Sequence, residues 1–470
     1  MKKIKESKKE MMLVIGQWAL GSGQWAVGSR QWAIVNGQWA SGIRQCFACL
    51  LLLSFISSCS VSKQISKQAN TILLNDTAIS TGQIGISIYE PATDKYWYNY
   101  NATKYFIPAS NTKLFTLYAG MKYLGDSLVG LRYQMKGDST VIEPTGDPTF
   151  LLSEFKNQPA LIFLKKQKKI YLTEDFLYTD FLGNGWAWND YKEGYMAQKS
   201  SFPVYGNIVK AKWVNADSIN IFPSFFQKSS GVIETMKTGF KVVKKFDENF
   251  FGFINGTDKN KEIPFKPAFL DIQFLLEDTL KTKLGSDWWI HDKKGTLKVY
   301  SQPSDSLFKP MMHRSDNFFA EQTLLMASNE HLGYMSDEKI IDTLLKTDLK
   351  DTPQKPKWVD GSGLSRYNLF TPQSFVYILN KMKNEFGWER VKNILPTGGK
   401  GTLSSYYKKD SSFIYAKTVT LSNNCALSGY LITKKGKVLL FSILANNYIT
   451  GATPARRAVE KFLLAIRENY

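Results

Sequence analysis

Ile84, Ile86 and Ile88 alternate with Gly85 and Ser87, and that period of two predicts a β-strand over Ile84–Tyr89. Glu90–Asp94 has turn composition, so Lys95–Tyr100 reads as the return strand of a hairpin. Pro108, Ala109 and Ser110 then open a helix. Leu114, Leu117 and Met121 recur along it at helical spacing, and Gly125 marks its end. Between about 132 and 300 the texture changes to short strands, with turns at Glu143–Pro148 and Gly183–Gly185 and a lysine cluster at Lys165–Lys169. Helical texture returns at Phe318–Ser328, and the chain is loop-like around Asp360–Gly363. Ile414–Leu421 predicts a strand. Leu427–Thr433 and Lys437–Leu444 predict a hairpin, and Thr453–Arg467 an amphipathic helix with Ala458, Phe462 and Ile466 on one side. The early hairpin and the three late strands can pair into one sheet. The expectation is an α/β (α+β) fold: an antiparallel five-stranded sheet flanked by helices from both ends of the chain, interrupted by a β-rich insert.

The domain plan that follows has residues 1–58 as a leader, 59–78 as a polar tether, 79–131 and 300–470 as the main domain, and 132–299 as the insert. Length agrees: 470 residues suit about two or three domains. No apolar run reaches the roughly 20 residues of a membrane-spanning helix. Cysteine usage excludes a disulfide framework, since Cys46, Cys49 and Cys59 all precede residue 60 and only Cys425 lies in the body. The apolar run Cys46–Ile56, preceded by Arg44 and closed by Ile56-Ser57-Ser58-Cys59, has the layout of a secretory signal. A cysteine at the cut resembles the bacterial lipobox, which implies Cys59 as the lipidated first residue of an exported protein. Upstream, Gly16–Ser22, Gly23–Ser29, Arg30–Asn36 and Gly37–Ile43 are tandem heptads on Gln-Trp-Ala. They read as a translated repeat, because their glycines and lack of charged flanks oppose a coiled coil. The net charge is +19; seven Lys/Arg against two Asp/Glu in residues 1–58 leave +14 from Cys59 onward. Such a charge suits an anionic setting without choosing among nucleic acid, phospholipid and wall polymer.

The chemistry narrows by residue type. Only His291, His313 and His331 are present, with no Gly-x-Ser-x-Gly elbow and no His-Glu-x-x-His, so neither a Ser-His-Asp triad nor a zinc site has support. Serine chemistry with lysine as base remains. Ser110 and Lys113 are three apart on a predicted helix, which puts hydroxyl and amine on one face. Ser315-Asp316-Asn317 precedes a second helix, and Lys417-Thr418-Val419-Thr420 lies in a predicted strand. Each motif alone is common; their order marks the penicillin-recognising enzymes.

With these motifs the chain resembles the D-alanyl-D-alanine carboxypeptidase/endopeptidase family of penicillin-binding-protein-4 type over roughly residues 80–470. The likeness is carried by Ile107–Lys113, Thr145–Thr149, Gly185–Asp190, Arg314–Glu321, Asp360–Arg366, Ala416–Thr418 and Leu427–Tyr430. The resemblance implies that Ser110 attacks the D-Ala-D-Ala carbonyl of a peptidoglycan stem peptide to form an acyl-enzyme. Lys113 would take its proton, kept neutral by the Lys417 charge. Ser315 would pass a proton to the leaving amine, and Asn317 would hold the substrate backbone. Lys417, Thr418 and Thr420 would bind the terminal carboxylate, and the N–H groups of Ser110 and Thr420 the oxyanion. Asp190 and Arg366 would receive the diamino-acid side chain. It also implies β-lactam antibiotics as acylating inhibitors and no metal or organic cofactor. Export argues against a nucleic-acid partner, and the lipobox implies membrane attachment through a lipid anchor only, in the periplasm at the outer membrane. Val419 stands where the family has Gly, and could crowd the nucleophile helix from the Lys417 face. A catalytically impaired peptidoglycan-binding module and a β-lactamase are the alternatives. Cys425 reads as a small filler in the segment after the strand.

Overall fold

The computed structural model describes residues 61–173, 177–215, 218–234, 241–254, 260–287 and 296–470. Cys59, the leader and its repeats lie outside the described residues.

The central sheet is assembled from both ends of the chain. Strands β1 (Gln83–Glu90) and β2 (Lys95–Tyr100) join β3 (Ile414–Leu421), β4 (Asn424–Ile432) and β5 (Val438–Asn446) in the spatial order β3-β4-β5-β1-β2, and every pairing is antiparallel. β1 and β5 are buried along almost their whole length because helices cover both faces of the sheet. On one face sit α1 (Lys113–Tyr123), α2 (Asn317–Leu332) and α3 (Pro372–Phe386). On the other lies α4 (Ala452–Asn469), whose Ala458, Phe462 and Ile466 are buried as the periodicity predicts. Gly85 lets the α1 face close, since a Cβ there would sit 2.5 Å from the Phe106 ring and 2.8 Å from Pro372.

Register aligns one polar row on that face. Lys417 stands opposite Ser428, Ser428 opposite Ser442, Ser442 opposite Ser87 and Ser87 opposite Asn99. Ser428 donates to or accepts from Ser442 at 2.8 Å, and the Ser87 hydroxyl donates to Asn99 at 2.9 Å. The neighbouring row, Val419, Ala426, Leu444 and Gly85, is apolar. The sheet therefore offers α1 a strip of hydroxyls beside a strip of methyls.

Between the two halves, a second five-stranded sheet runs Leu284–Asp287, Lys169–Thr173, Ser139–Pro144, Ser127–Lys136, Leu297–Pro303. Smaller sheets and the helix Phe269–Leu280 complete the insert around its own core, which includes Leu131, Val209, Phe226, Phe253 and Leu276. Its first and last strands pair with each other, so the insert begins at Ser127 and ends at Pro303 rather than at 132 and 299. Parallel pairs occur here alongside antiparallel ones.

The expected tether over 59–78 needs correction. Residues 65–74 are helical, closing with a π-helical stretch at Ala69–Leu74 that packs on α4. Ile65, Ala69 and Leu73 are fully buried. Their spacing of four puts them on one face, a signal diluted by the Ser, Lys, Gln and Asn between them. Leu73→Ala should therefore lower unfolding stability by about 2–5 kcal/mol, read as a reduced urea midpoint; a change near zero would restore the tether.

Candidate active site

Ser110 sits in a 3-10 turn, Ala109–Thr112, that runs directly into α1. Ala109 has φ +45°, and the Thr112 hydroxyl closes the turn on the Ala109 carbonyl at 2.8 Å. Asn111 ties the turn to the sheet, its side-chain N–H donating to Ser428 Oγ at 2.7 Å. The polar row of the sheet thus anchors the nucleophile candidate.

Lys113 is fully buried. Its Nζ donates to Ser110 Oγ at 3.1 Å, Asn317 Oδ1 at 2.7 Å and the Ser362 carbonyl at 2.7 Å. All three ammonium protons are used, so the cation is geometrically satisfied yet shut off from water. Burial is the larger effect and pulls its pKa down to about 8, against the opposing pull of Asp360, Glu321 and Asp316. Lys417 on β3 is also fully buried, and its Nζ donates to the Thr418 carbonyl at 2.7 Å. Burial first, then the Lys113 charge, then Arg456, hold Lys417 well below the ordinary lysine range. Desolvation, rather than repulsion from Lys417, is therefore what depresses Lys113.

Asp316 caps α2, accepting from the Phe319 N–H at 3.0 Å, and this places Asn317 on the first turn. Asn317 bridges Lys113 and the insert, with its side-chain N–H on the Tyr195 carbonyl at 3.0 Å. Ser315 takes φ +61° between two helices, and its hydroxyl makes no hydrogen bond among the described residues. Ser110, Lys113 and Asn317 are linked directly, and β3 packs Lys417 against the same turn.

Other predicted positions fall elsewhere. Thr418 alternates to the α4 face, away from Lys417, where it lines a cavity of about 20 Å³ with Arg456 and Cys425. Its hydroxyl has no protein partner there among the described residues. A carboxylate contact by that hydroxyl on the Lys417 face is not what the strand geometry provides. Thr420 continues β3 opposite Cys425; its side chain lies outside the described residues. β3 is the edge of the sheet, so alternate backbone N–H groups face away from β4. Arg366 is exposed and forms no ion pair among the described residues. Asp190 lies in the insert, near the Tyr195 phenol. Their segments meet: Trp186 donates to Asp360 at 2.9 Å, and a Cβ on Gly185 would sit 2.6 Å from Tyr367. The Thr145–Thr149 motif is architectural, with its Thr145 hydroxyl on the Val129 carbonyl at 2.6 Å and Asp147 accepting from the Thr149 N–H.

Sequence reasoning gave Ser362 and Glu321 no role. Ser362 acts through its carbonyl, which no side chain advertises. Glu321 is one turn beyond Asn317 on α2, and an acid at that spacing on a helix buried from Phe318 to Asn329 was the available signal. Cys425 lies in β4, the segment that follows β3, 3% exposed, and burial pushes its thiol up to about 11, so it fills space.

A family model described as the D-Ala-D-Ala carboxypeptidase 3 (S13) family matches residues 65–229 and 273–467. Carboxypeptidase DacB of Mycolicibacterium smegmatis is 30% identical over 183 residues, 36% of this chain and 39% of that protein. D-alanyl-D-alanine carboxypeptidase DacB of Haemophilus influenzae is 24% identical over 411 residues, 75% of this chain and 83% of that one. The crystal structure of penicillin binding protein 4 from Haemophilus influenzae superposes with a TM-score of 0.66 at 18% identity, over 86% of this chain and 98% of that chain. That likeness establishes the fold.

Val419 is 4% exposed and belongs to the core that also holds Leu114 and Ala426. Its direct partner across the sheet is the short Ala426. Val419→Gly should lower stability by about 2–4 kcal/mol through lost packing and added chain freedom, measured by urea unfolding. A gain in stability would mean that the valine is strained.

Proposed function

The chain belongs to the D-Ala-D-Ala carboxypeptidase 3 (S13) family, and on that premise we propose a serine D-Ala-D-Ala carboxypeptidase in which Ser110 is the nucleophile and Lys113 its base. The substrate is the D-Ala-D-Ala end of a peptidoglycan stem peptide. The observation that carries this reading is the 3.1 Å contact between the fully buried Lys113 Nζ and the half-buried Ser110 Oγ. A lysine whose pKa lies near 8 holds an appreciable neutral fraction at mildly alkaline pH, and only the neutral amine can take a proton.

Lys113 removes the Ser110 proton as Oγ attacks the carbonyl carbon. The backbone N–H groups of Ser110 and Thr420 receive the oxyanion, the latter from the edge strand β3. Collapse of the tetrahedral adduct breaks the amide bond. The departing D-alanine amine gains a proton through Ser315, whose hydroxyl carries no competing protein hydrogen bond among the described residues. Water then hydrolyses the ester to free the shortened peptide and Ser110. Asn317 steadies both the base and the substrate backbone, and Lys417 attracts the terminal carboxylate. Asp190 and Arg366 receive the diamino-acid side chain; the exposed guanidinium of Arg366, without an ion pair among the described residues, supports this. β-Lactams acylate Ser110 by the same attack. The solved Haemophilus influenzae protein 4 in complex with a β-lactam gives a parallel of the same fold. The reading as an impaired binding module rests on Val419, and the match to the carboxypeptidase family favours the enzyme over it.

Export and lipidation at Cys59 place the enzyme against the wall, outside the cytoplasmic membrane. Among the described residues no helix is long and apolar enough to cross a membrane.

A fluorescent penicillin should label the wild-type protein covalently and leave Ser110→Ala dark; equal labelling of both would end the assignment. The labelling rate should climb with pH around a midpoint near 8 as Lys113 loses its proton. Mass spectrometry of muropeptides should show the loss of one alanine after incubation, and unchanged peptides beside a labelled enzyme would point to a binding role.

A further inference from the structure

The loop Asp360–Ser365 lies between α2 and the nucleophile turn. A Cβ on Gly361 would come within 2.7 Å of the Ala320 carbonyl oxygen of α2, and one on Gly363 within 1.9 Å of the Ala109 carbonyl oxygen. The loop is held by its polar groups as closely as by its sterics. The Gly361 carbonyl accepts from Thr116 of α1 at 2.6 Å, and the Ser362 carbonyl from Lys113 at 2.7 Å. On the opposite side, the Gly361 and Ser362 N–H groups donate to Glu321 Oε2 and Oε1 at 3.1 and 2.7 Å. Glu321 is fully buried and uses both oxygens on this one stretch of backbone.

We propose that Glu321 is a positioning residue for the catalytic base: its carboxylate grips the Gly361–Ser362 backbone from behind and so sets the Ser362 carbonyl against the Lys113 amine. The inference rests on the assignment of Lys113 as base. Glu321 and Asn317 stand one turn apart on α2, so a single helix delivers one acceptor to Lys113 directly and another through the loop. An uncharged amide cannot do the same work, because one of its two positions would present N–H to a backbone N–H.

The carboxylate also acts on the proton. Lys113 faces Asp360, Glu321 and Asp316, with Lys417 across from it on β3. Glu321 in turn faces Asp360 and Asp337, and the cation Lys199. Asp360 is occupied by Gly363, Ser365, Asn368 and Trp186 donors. Burial and the Asp360 charge push Glu321 up, whereas the two backbone N–H groups that its oxygens accept favour the ionised form. Removing that charge makes the Lys113 cation less favourable, and the amine becomes neutral at a lower pH.

The test is the rate of acylation of the full chain by a fluorescent penicillin across pH 6 to 9.5. Glu321→Gln should cut the plateau rate by roughly tenfold or more, as misplaced bases do. It should also move the midpoint down by about half to one pH unit. Glu321→Asp keeps the charge, so its midpoint stays with the wild type even where its plateau is reduced. A purely structural role would lower the plateau of both and shift neither, and a Glu321→Gln midpoint equal to the wild type overturns the proposal. Should Glu321→Gln fail to melt cooperatively, Thr116→Val loosens the same backbone from the other side without touching charge. It should lower the plateau at an unchanged midpoint, and a wild-type plateau would overturn the proposal. A wild-type protein that never labels would sink the base assignment itself, whereas a labelled wild type with an unmoved Glu321→Gln midpoint sinks only the role of Glu321.

Discussion

A lysine ammonium with no access to water organises this molecule. Burying such a group is costly unless its donors are matched, and Lys113 meets that demand with one hydroxyl, one amide and one peptide carbonyl. Each acceptor comes from a different part of the chain: Ser110 from its own turn, Asn317 from the start of α2 and Ser362 from the loop before α3. The site is therefore a product of tertiary closure. The same match that makes burial tolerable keeps the amine near neutrality in charge preference, because desolvation outweighs the surrounding carboxylates.

Closure depends on backbones approaching one another without side chains between them. Gly361 against α2 and Gly363 against the nucleophile turn have no room for a Cβ, and Gly363 takes φ +81°. Hydrogen bonds then use the peptide groups so exposed, from Thr116 and Lys113 on one side and Glu321 and Asp360 on the other. Sterics select the glycines and polar satisfaction selects their neighbours. The two constraints reinforce each other at one loop.

Much of this was legible from local pattern. The β1–β2 hairpin, α1, β3 and α4 announce themselves through period and punctuation, and the three hydroxyl-and-amine motifs announce the chemistry. What escaped was non-local or lacked a side-chain signature. The Ser362 carbonyl is backbone, and Glu321 is a single acid in an otherwise apolar helix. The helix over residues 65–74 hides its buried face among polar letters. Thr418 reads as a substrate contact by adjacency to Lys417, yet strand alternation turns it toward α4. Val419 reads as an obstruction because the sequence does not reveal that the short Ala426 side chain stands directly opposite it in the sheet.

The insert leaves and rejoins the body on two adjoining antiparallel strands, Ser127–Lys136 and Leu297–Pro303. Its ends are thus about one strand spacing apart, roughly 5 Å. From the standpoint of the main sheet, some 160 residues of intervening chain are equivalent to a tight bend. The outer sheet of Ser230–Glu234, Lys241–Val243 and Phe251–Ile254, which belongs to the insert, can vary in length or shape without changing the register of the central sheet. That freedom stops at the stretch from Gly185 to Ser200, where Trp186 and Tyr195 touch the Asp360 loop and Asn317. Change can accumulate in the outer portion, while this inner rim is tied by those bonds to the Asp360 loop and to α2.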